Sequence, residues 1–397
     1  MGLNGQKIIV VGAGIGGLSA ALCLRRQGAE VTVLEQAEKI SEVGAGLQIS
    51  PNGVAVLRAL GLEDGLAAKA VRGQAAVLRD YRGGGEVLRL DLTRLDSGQA
   101  YYFVHRVDLI DLLADAARRA GVNIRLLQKV RTVETGPEPV VHLASGGRLS
   151  GDLVVGADGL HSRARVALNG EDTPFFTGQV AWRAVVPNDP GLGAEAQVFM
   201  GPGRHLVAYP LRGGDLVNLV AVQERKEWAA EGWHHFDDPD NLRAAFAGFG
   251  GTARALLAQV DEVGLWGLFR HPVAANWYGE GLAILGDAAH PTLPFMAQGA
   301  NMALEDAWVL GDCLARHGLG EAGQIAYQAA RRDRAVRIVA AANGNAWKYH
   351  LRPGPVRAAA HLALKLGGAV APGRMIRQFD WLYGFDVTAR GAAARSG

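Results

Sequence analysis

The sequence predicts an α/β protein in which a parallel sheet carries an inserted antiparallel-sheet domain and ends in a helical C-terminal region. Three observations predict it. The apolar run Lys7-Ile8-Ile9-Val10-Val11 leads into the glycine turn Gly12-Ala13-Gly14-Ile15-Gly16-Gly17 and then into a helical pattern. From about Gln179 to Val222 the pattern changes to longer β-rich runs broken by Gly and Pro. At Leu282-Ala283-Ile284-Leu285 the buried-strand pattern returns, and helical periodicity follows Met302.

Composition sets the outer limits. A chain of 397 residues can hold two intimately joined domains and a large core. Hydrophobic residues at 49% and charged residues at 20% are ordinary for a globular protein. A formal net charge of +2 supplies no basic field for nucleic acid. Cys23 and Cys313 both fall in helical stretches and are too few for a disulfide framework. With no secretory signal before Lys7, the expected compartment is a reducing cytoplasm. No apolar run is long enough to span a bilayer. The segment His361 to Val370 is apolar but short, contains Lys365, and is expected to be a helix packed on the core.

The run over 7–11 lacks alternation, as a strand buried on both faces does. Ile15, Leu18 and Leu22 share one face of the next helix, which stops at Gly28, and Val31 to Glu35 reads as a second strand. This unit is Rossmann-like. Gly12 permits its tight bend, Gly14 lets a pyrophosphate approach the backbone, and Gly17 lets the helix lie against the strand. Glu35 has the spacing of an acid that holds ribose hydroxyls. Taken alone, the unit fits either NAD or FAD. A second helix is expected from Val107 to Ala120, starting beside Arg106 and ending at Gly121. Ala196 to Met200 and Leu216 to Val222 are expected strands of the inserted sheet. The expected organisation is a nucleotide-binding domain over 1–178, some of whose strands contribute to the substrate domain. A substrate-binding sheet follows over 179–275, then a return to the first domain over 276–345 and a helical region over 346–397. Low-complexity bias is confined to 389–397.

Three ordered motifs resemble those of the single-component, FAD-dependent aromatic monooxygenases. The first is the glycine turn, and the second is Asp158-Gly159-Leu160-His161-Ser162-Arg163-Ala164-Arg165. The third is Leu285-Gly286-Asp287-Ala288-Ala289-His290-Pro291, followed by Pro294 and Gln298-Gly299-Ala300-Asn301. Gly44 to Asn52 resembles that family's flavin-contacting loop, and Asp380 to Asp386 resembles the ending of salicylate and 3-hydroxybenzoate hydroxylases. The resemblance implies a p-hydroxybenzoate hydroxylase-like fold with bound FAD, NADH or NADPH as co-substrate, and a homodimer. It implies that Arg106 and Asp158 lie near the FAD phosphates and that Asp287 binds the ribityl and pyrophosphate region. Pro294 would sit beside the flavin ring. Backbone N–H groups of Gly299, Ala300 and Asn301 would stabilise negative charge on the reduced ring. The Asp380 to Asp386 motif reads as core or subunit packing.

The resemblance further implies that NAD(P)H reduces FAD, that O₂ adds, and that a C4a-hydroperoxide transfers oxygen to a hydroxy-aromatic acid of the 3-hydroxybenzoate or salicylate type. Such a step needs an electron-rich ring, which deprotonating its hydroxyl provides. His205 is the candidate proton acceptor, and Tyr209 shares its face if the run is a strand, because side chains alternate with period two. This pair resembles the active-site histidine and tyrosine of 3-hydroxybenzoate and 6-hydroxynicotinate hydroxylases. Moving a proton from a phenol of pKa ~10 to a histidine near ~6.5 costs roughly 4–5 kcal/mol if neither is tuned. Gln48, Phe295 and Gln298 are candidate substrate contacts; some hydroxynicotinate hydroxylases look as though they carry histidine at the position of the apolar Phe295, a departure from the resemblance that argues against 6-hydroxynicotinate itself. A substrate carboxylate calls for an arginine, with Arg183, Arg212 and Arg270 available. His290 is expected to support the Gly-Asp segment rather than act as base. No metal is expected, because His234-His235 with Asp237 and Asp238 reads as a polar loop. Two other readings share the flavin: an oxygenase acting on a larger aromatic metabolite, and an oxidase or dehydrogenase. A non-enzymatic nucleotide-sensing module is the third.

Overall fold

A computed structural model describes residues 2–40, 45–225, 227 and 235–389. Gly44 of the expected flavin loop, His234 and the tail beyond Ala389 lie outside the described residues. The Rossmann-like unit forms as its residues require. Strand Lys7–Val11 pairs in parallel with Glu30–Leu34 on one side and Leu153–Gly156 on the other. Asn123–Arg125 and Leu282–Ile284 extend this sheet, which a short antiparallel strand, Tyr278–Gly279, closes to six. Val10, Val33, Leu153, Val154 and Ile284 are fully buried, as a parallel sheet covered on both faces demands. Helices Ile15–Arg26 and Gly299–His317 pack against each other beside it. The second expected helix runs over Arg106–Arg119.

The other large sheet has eight strands. Phe175–Pro187, Glu195–Gly201, Arg204–Leu211, Leu216–Glu224 and Val263–Arg270 form its centre, and Ala75–Asp80 and Glu86–Asp91 join from the first part of the chain. Its two faces follow the period-two alternation. Val180, Trp182, Leu206, Ala208, Leu219 and Ala221 turn to a core capped by helices Pro239–Ala245 and Gly251–Ala258. The opposite face, carrying His205, Val207, Tyr209, Val220 and Val222, turns toward the nucleotide-binding half.

The expected packing of His361 to Val370 on the core does not occur. Residues 361–370 lie in a helix, Pro355–Val370, but its apolar side chains are not core: Leu362 is 58% exposed and Val370 82%. The helix touches the sheet at its edge strand Glu86–Asp91 and is tied there by buried Arg357, which donates to Asp80 (2.7 Å) and the Met200 carbonyl (3.0 Å). One-sided docking on an edge strand leaves most of its apolar positions uncovered. Among the described residues, no helix is long and apolar enough to cross a membrane.

Candidate active site

The glycine turn is built to be approached. A Cβ on Gly17 would stand 1.9 Å from the Gly12 carbonyl oxygen, and one on Gly12, at φ +100°, would stand 2.4 Å from the Ala157 carbonyl oxygen. Gly14 differs: it begins the Ile15–Arg26 helix with ordinary extended backbone (φ −73°), so its lack of a side chain leaves space rather than relieving strain. The helix has no acidic residue in its first turn, so its N-terminal N–H groups present positive potential to the cleft. Glu35 stands beside this turn, its carboxylate accepting from the N–H groups of Ala13 (2.8 Å) and Ala37 (2.9 Å).

Asp158 is half-buried, and its carboxylate caps the next helix. It accepts from Ser162 Oγ (2.5 Å) and the Arg163 N–H (2.7 Å), while burial pushes its pKa up against these bonds. Its main chain lies against the Gly12 turn. Arg165, buried, reaches from the same motif to the carbonyls of Ala288 and Ala289 (both 3.2 Å) and to Asp172. The second motif thereby holds the third in place.

In the third motif, Asp287 is open to the cleft although surrounded by protein. Burial raises its pKa, and the neighbouring charges of His290 and Arg106 oppose the rise. Its Oδ1 lies 3.9 Å from where a Gly299 side chain would begin, at the start of the 19-residue Gly299–His317 helix. That helix also lacks an acid in its first turn and a side-chain cap, so the N–H groups of Gly299, Ala300 and Asn301 are left without a capping side chain. Just before it, Ala297 takes a left-handed conformation (φ +52°), held by Asn301 Nδ2 donating to its carbonyl (2.8 Å). The Asn301 amide also accepts from Ser50 N–H (3.0 Å) and donates to the Gln48 carbonyl (3.0 Å), so its side chain joins two loops.

Gln298 departs from the expected substrate contact. It is buried, donates to Ser50 Oγ (3.0 Å) and accepts from Asn52 (3.2 Å), and so turns inward. Asn52 continues to Glu305 (2.6 Å), the entry to a buried ionic cluster. Arg331 stands between Glu305 (2.6 Å) and Asp306 (2.8 Å), all fully buried, and His290 Nε2 lies 2.5 Å from Asp306. The Arg331–Glu305 contact is an ion pair without hydrogen-bond alignment. His290 thus supports the Gly-Asp segment, whose Gly286 N–H donates to the same Asp306 (3.0 Å).

The turn Leu293-Pro294-Phe295 roofs the face of the eight-stranded sheet that bears His205. Phe295 lies 5.8 Å from the His205 ring, centroid to centroid. On that face the register sets His205 opposite Val222, Val207 opposite Val220, and Tyr209 opposite Asn218; Arg183 pairs with Val220 from the next strand. Arg183 therefore lies two strands from Val207, between the levels of His205 and Tyr209, with its guanidinium 5.1 Å above the Trp266 ring. Arg212 pairs with Asp108 at the surface (3.1 Å), and exposed Arg270 donates to the Asn343 carbonyl (3.3 Å). Of the three arginines, Arg183 is the one at the level of His205 and Tyr209; Arg270, on the same face as Trp266 and Leu268 by alternation, stands exposed at the far end of its strand.

A short strand, Gly46–Ile49, closes the other side. Gly46 donates to Asn218 (2.6 Å), and a Cβ there would collide with Tyr209 at 2.6 Å. Gln48, two positions on and on the same side of the strand, accepts from the Tyr101 hydroxyl (2.8 Å). Tyr101 meets Tyr383 edge-on at 5.9 Å, so the Asp380 to Asp386 motif carries a tyrosine to the site's rim. Burial pushes the Tyr209 hydroxyl well above its ordinary pKa, with Arg183 opposing. His205 is buried, and burial followed by the charge of neighbouring His350 holds it well below the usual histidine range. No local signal singled out His350, whose Nε2 lies 2.7 Å from His205 Nδ1. Asp237 accepts from Trp182 (2.7 Å) and Asp238 caps Pro239–Ala245, so both acids have structural partners.

The cleft fits an FAD: an anion-ready helix start, an acid open to the cleft, and a second helix start lie along it in order. Comparison with known proteins agrees. Residues 6–342 match the family model for the FAD binding domain. The chain is 37% identical to 3-amino-4-hydroxybenzoate 2-monooxygenase of Streptomyces cremeus, over 88% of this chain and 89% of the relative. It is 33% identical to 3-hydroxybenzoate 6-hydroxylase of Klebsiella oxytoca, over 96% and 97%. Among solved structures, Klebsiella pneumoniae HpxO complexed with FAD and uric acid matches with a TM-score of 0.82 and 27% identity, over 95% of this chain and 96% of that one. The chain belongs to the FAD-dependent aromatic monooxygenases, with FAD as its cofactor and NADH or NADPH as its reductant.

Proposed function

We propose that the substrate is a carboxylated phenol, with His205 as acceptor of its ring-hydroxyl proton, Tyr209 as the group that orients it, and Arg183 as the partner of its carboxylate. The observation that carries this reading is the placement of all three on one sheet face, beneath the Leu293-Pro294-Phe295 turn that continues into the Gly299 helix start. Bound FAD, once reduced, supplies the activation of O₂. The chain supplies the rest. Val207, Val220, Trp266 and Phe295 make an apolar slot that excludes water from the ring. Tyr209, neutral across the working pH range, offers a hydroxyl that either donates to or accepts from the substrate oxygen. Arg183 gives two parallel donors in the geometry a carboxylate prefers. Because burial disfavours the His205 imidazolium, a proton it takes is not kept, and transfer is coupled to the change at the ring. The FAD contacts of Arg106, Asp158, Asp287 and the Gly299 to Asn301 backbone are part of the same reading.

The relatives' substrates point the same way, since 3-amino-4-hydroxybenzoate and 3-hydroxybenzoate are both carboxylated phenols. The test is oxidation of NADH, repeated with NADPH, by the FAD-loaded protein. The panel is 3-amino-4-hydroxybenzoate, 3-hydroxybenzoate, 4-hydroxybenzoate, salicylate, 6-hydroxynicotinate and urate, with product mass and peroxide recorded together. A phenolic acid that stimulates oxidation and gains one oxygen, with or without loss of CO₂, supports the reading. Stimulation by urate alone, or by none of the acids, overturns it. We also infer a reducing, cytoplasmic setting, supported by the buried, unpaired thiols of Cys23 and Cys313, and a homodimer, to be tested by sedimentation.

A further inference from the structure

His205 faces the slot with one edge of its ring and is held by the other. His350, which supplies that hold, follows directly on the Glu321–Tyr349 helix, and its own Nδ1 lies 2.9 Å from Glu224 Oε1. His205 and His350 are buried, whereas the Glu224 side chain is 50% exposed. A line of three titratable groups therefore runs from the slot to the surface. One residue fixes both outer members: the Gly203 N–H donates to the His350 carbonyl (3.1 Å), and the Gly203 carbonyl accepts from the Glu224 N–H (2.8 Å). Gly203 does this in a left-handed turn (φ +66°).

The chemistry of the groups orders the protons. Ionised Glu224 only accepts, so the proton between it and His350 belongs to His350 Nδ1. In the neutral ring His350 Nε2 is then an acceptor, and the His205–His350 bond is filled by His205 Nδ1–H. This leaves the His205 Nε2 lone pair free of protons, as a base requires. We propose that His350 and Glu224 are the positioning and relay residues of His205, fixing its tautomer and carrying the substrate's proton to solvent. The proposal rests on the reading of His205 as proton acceptor. As the substrate O–H bond breaks, its proton bonds to His205 Nε2. The His205 Nδ1 proton passes to His350 Nε2, and the His350 Nδ1 proton passes to the Glu224 carboxylate and then to water. Only O–H and N–H bonds change. The reverse passage returns a proton to the product oxygen and restores both tautomers. Besides Glu224, the titratable groups facing this line among the described residues are Arg204 beside His350 and Tyr349, whose ring lies 5.2 Å from His205. Burial and His350 both disfavour charge resting on His205, which suits a group that passes protons on.

The test uses oxidised, FAD-loaded protein and needs no turnover. It is mixed with 3-hydroxybenzoate or 3-amino-4-hydroxybenzoate in weak buffer containing a pH indicator dye, while ultraviolet absorbance follows phenolate formation. In the wild type, phenolate and released proton appear together. His350→Phe is expected to slow both by at least about tenfold with FAD content and ligand affinity nearly unchanged. Glu224→Leu, at a half-exposed position, is expected to slow them and shift their pH profile, and Glu224→Asp to restore both. Release at the wild-type rate and pH profile in His350→Phe and Glu224→Leu, but not in His205→Ala, would overturn the relay and leave the His205 reading standing. Unchanged release in His205→Ala, or none in the wild type, would overturn both.

Discussion

Asp306→Asn removes one carboxylate from the ionic cluster beneath the cofactor cleft, and its cost can be worked from the geometry. In the native protein Glu305 and Asp306 face Arg331 and Arg334, with His290 as a further partner of Asp306. Without Asp306 the two guanidiniums share Glu305 alone, in a place where Arg331 has no access to water. Breaking a buried pair from one side costs about 3–5 kcal/mol. The pH dependence gives a second figure. Burial opposes ionisation of Asp306, but His290 and Arg331 outweigh it and hold its carboxyl at about 2, below the ordinary 3.8. The folded pKa is depressed, so the contribution is complete well above the ordinary value and is lost as pH falls through about 2. Its size is about 2 kcal/mol. The larger figure includes the strain of leaving Arg331 partly unpaired. Urea midpoints of wild type and variant, compared at pH 7 and then at falling pH, measure both. The variant is expected to unfold at clearly lower urea at pH 7, with the gap narrowing from about pH 4 downward. Equal midpoints at pH 7, or a gap that does not narrow in acid, would refute the argument. FAD affinity should fall as well, because Asp306 also holds the Gly286 N–H.

Further substitutions test the cleft and slot separately. Gly17→Ala places a Cβ 1.9 Å from the Gly12 oxygen and is expected to yield protein without FAD; a full flavin absorbance ratio would contradict it. Gly46→Ala pushes on Tyr209 and should raise KM for the aromatic acid while FAD content is kept, as steady-state kinetics would show. Arg183→Gln should raise KM for a carboxylated phenol by about 10- to 100-fold, the worth of a charge-assisted hydrogen bond. It should leave the corresponding phenol without a carboxylate unaffected, and equal effects on both would remove Arg183 from carboxylate binding.

The parts legible in the sequence are those whose cause is local. The strand, turn and helix over residues 7–26 declare themselves because burial on both faces, a left-handed bend and a close helix each demand particular residues in a row. The shared face of His205 and Tyr209 was readable for the same reason, from the alternation of one strand. What was not readable depends on partners far along the chain. The inward turn of Gln298 is set by Ser50 and Asn52, and the hold on His205 by His350, 145 positions away. The choice of Arg183 over Arg212 and Arg270 required the register of three strands. The apolar Pro355–Val370 helix misled because sequence shows which residues are apolar, not how much neighbouring surface exists to cover them.

The most direct test of the central claim is the fate of reducing equivalents in His205→Ala. NADH consumed, hydroxylated product and peroxide are measured together on the FAD-loaded variant with the best phenolic acid. The account predicts that FAD is retained and still reduced, while product falls and peroxide rises to take up most of the NADH. Coupled turnover equal to the wild type would show that the proton leaves the substrate by another group and would contradict the account.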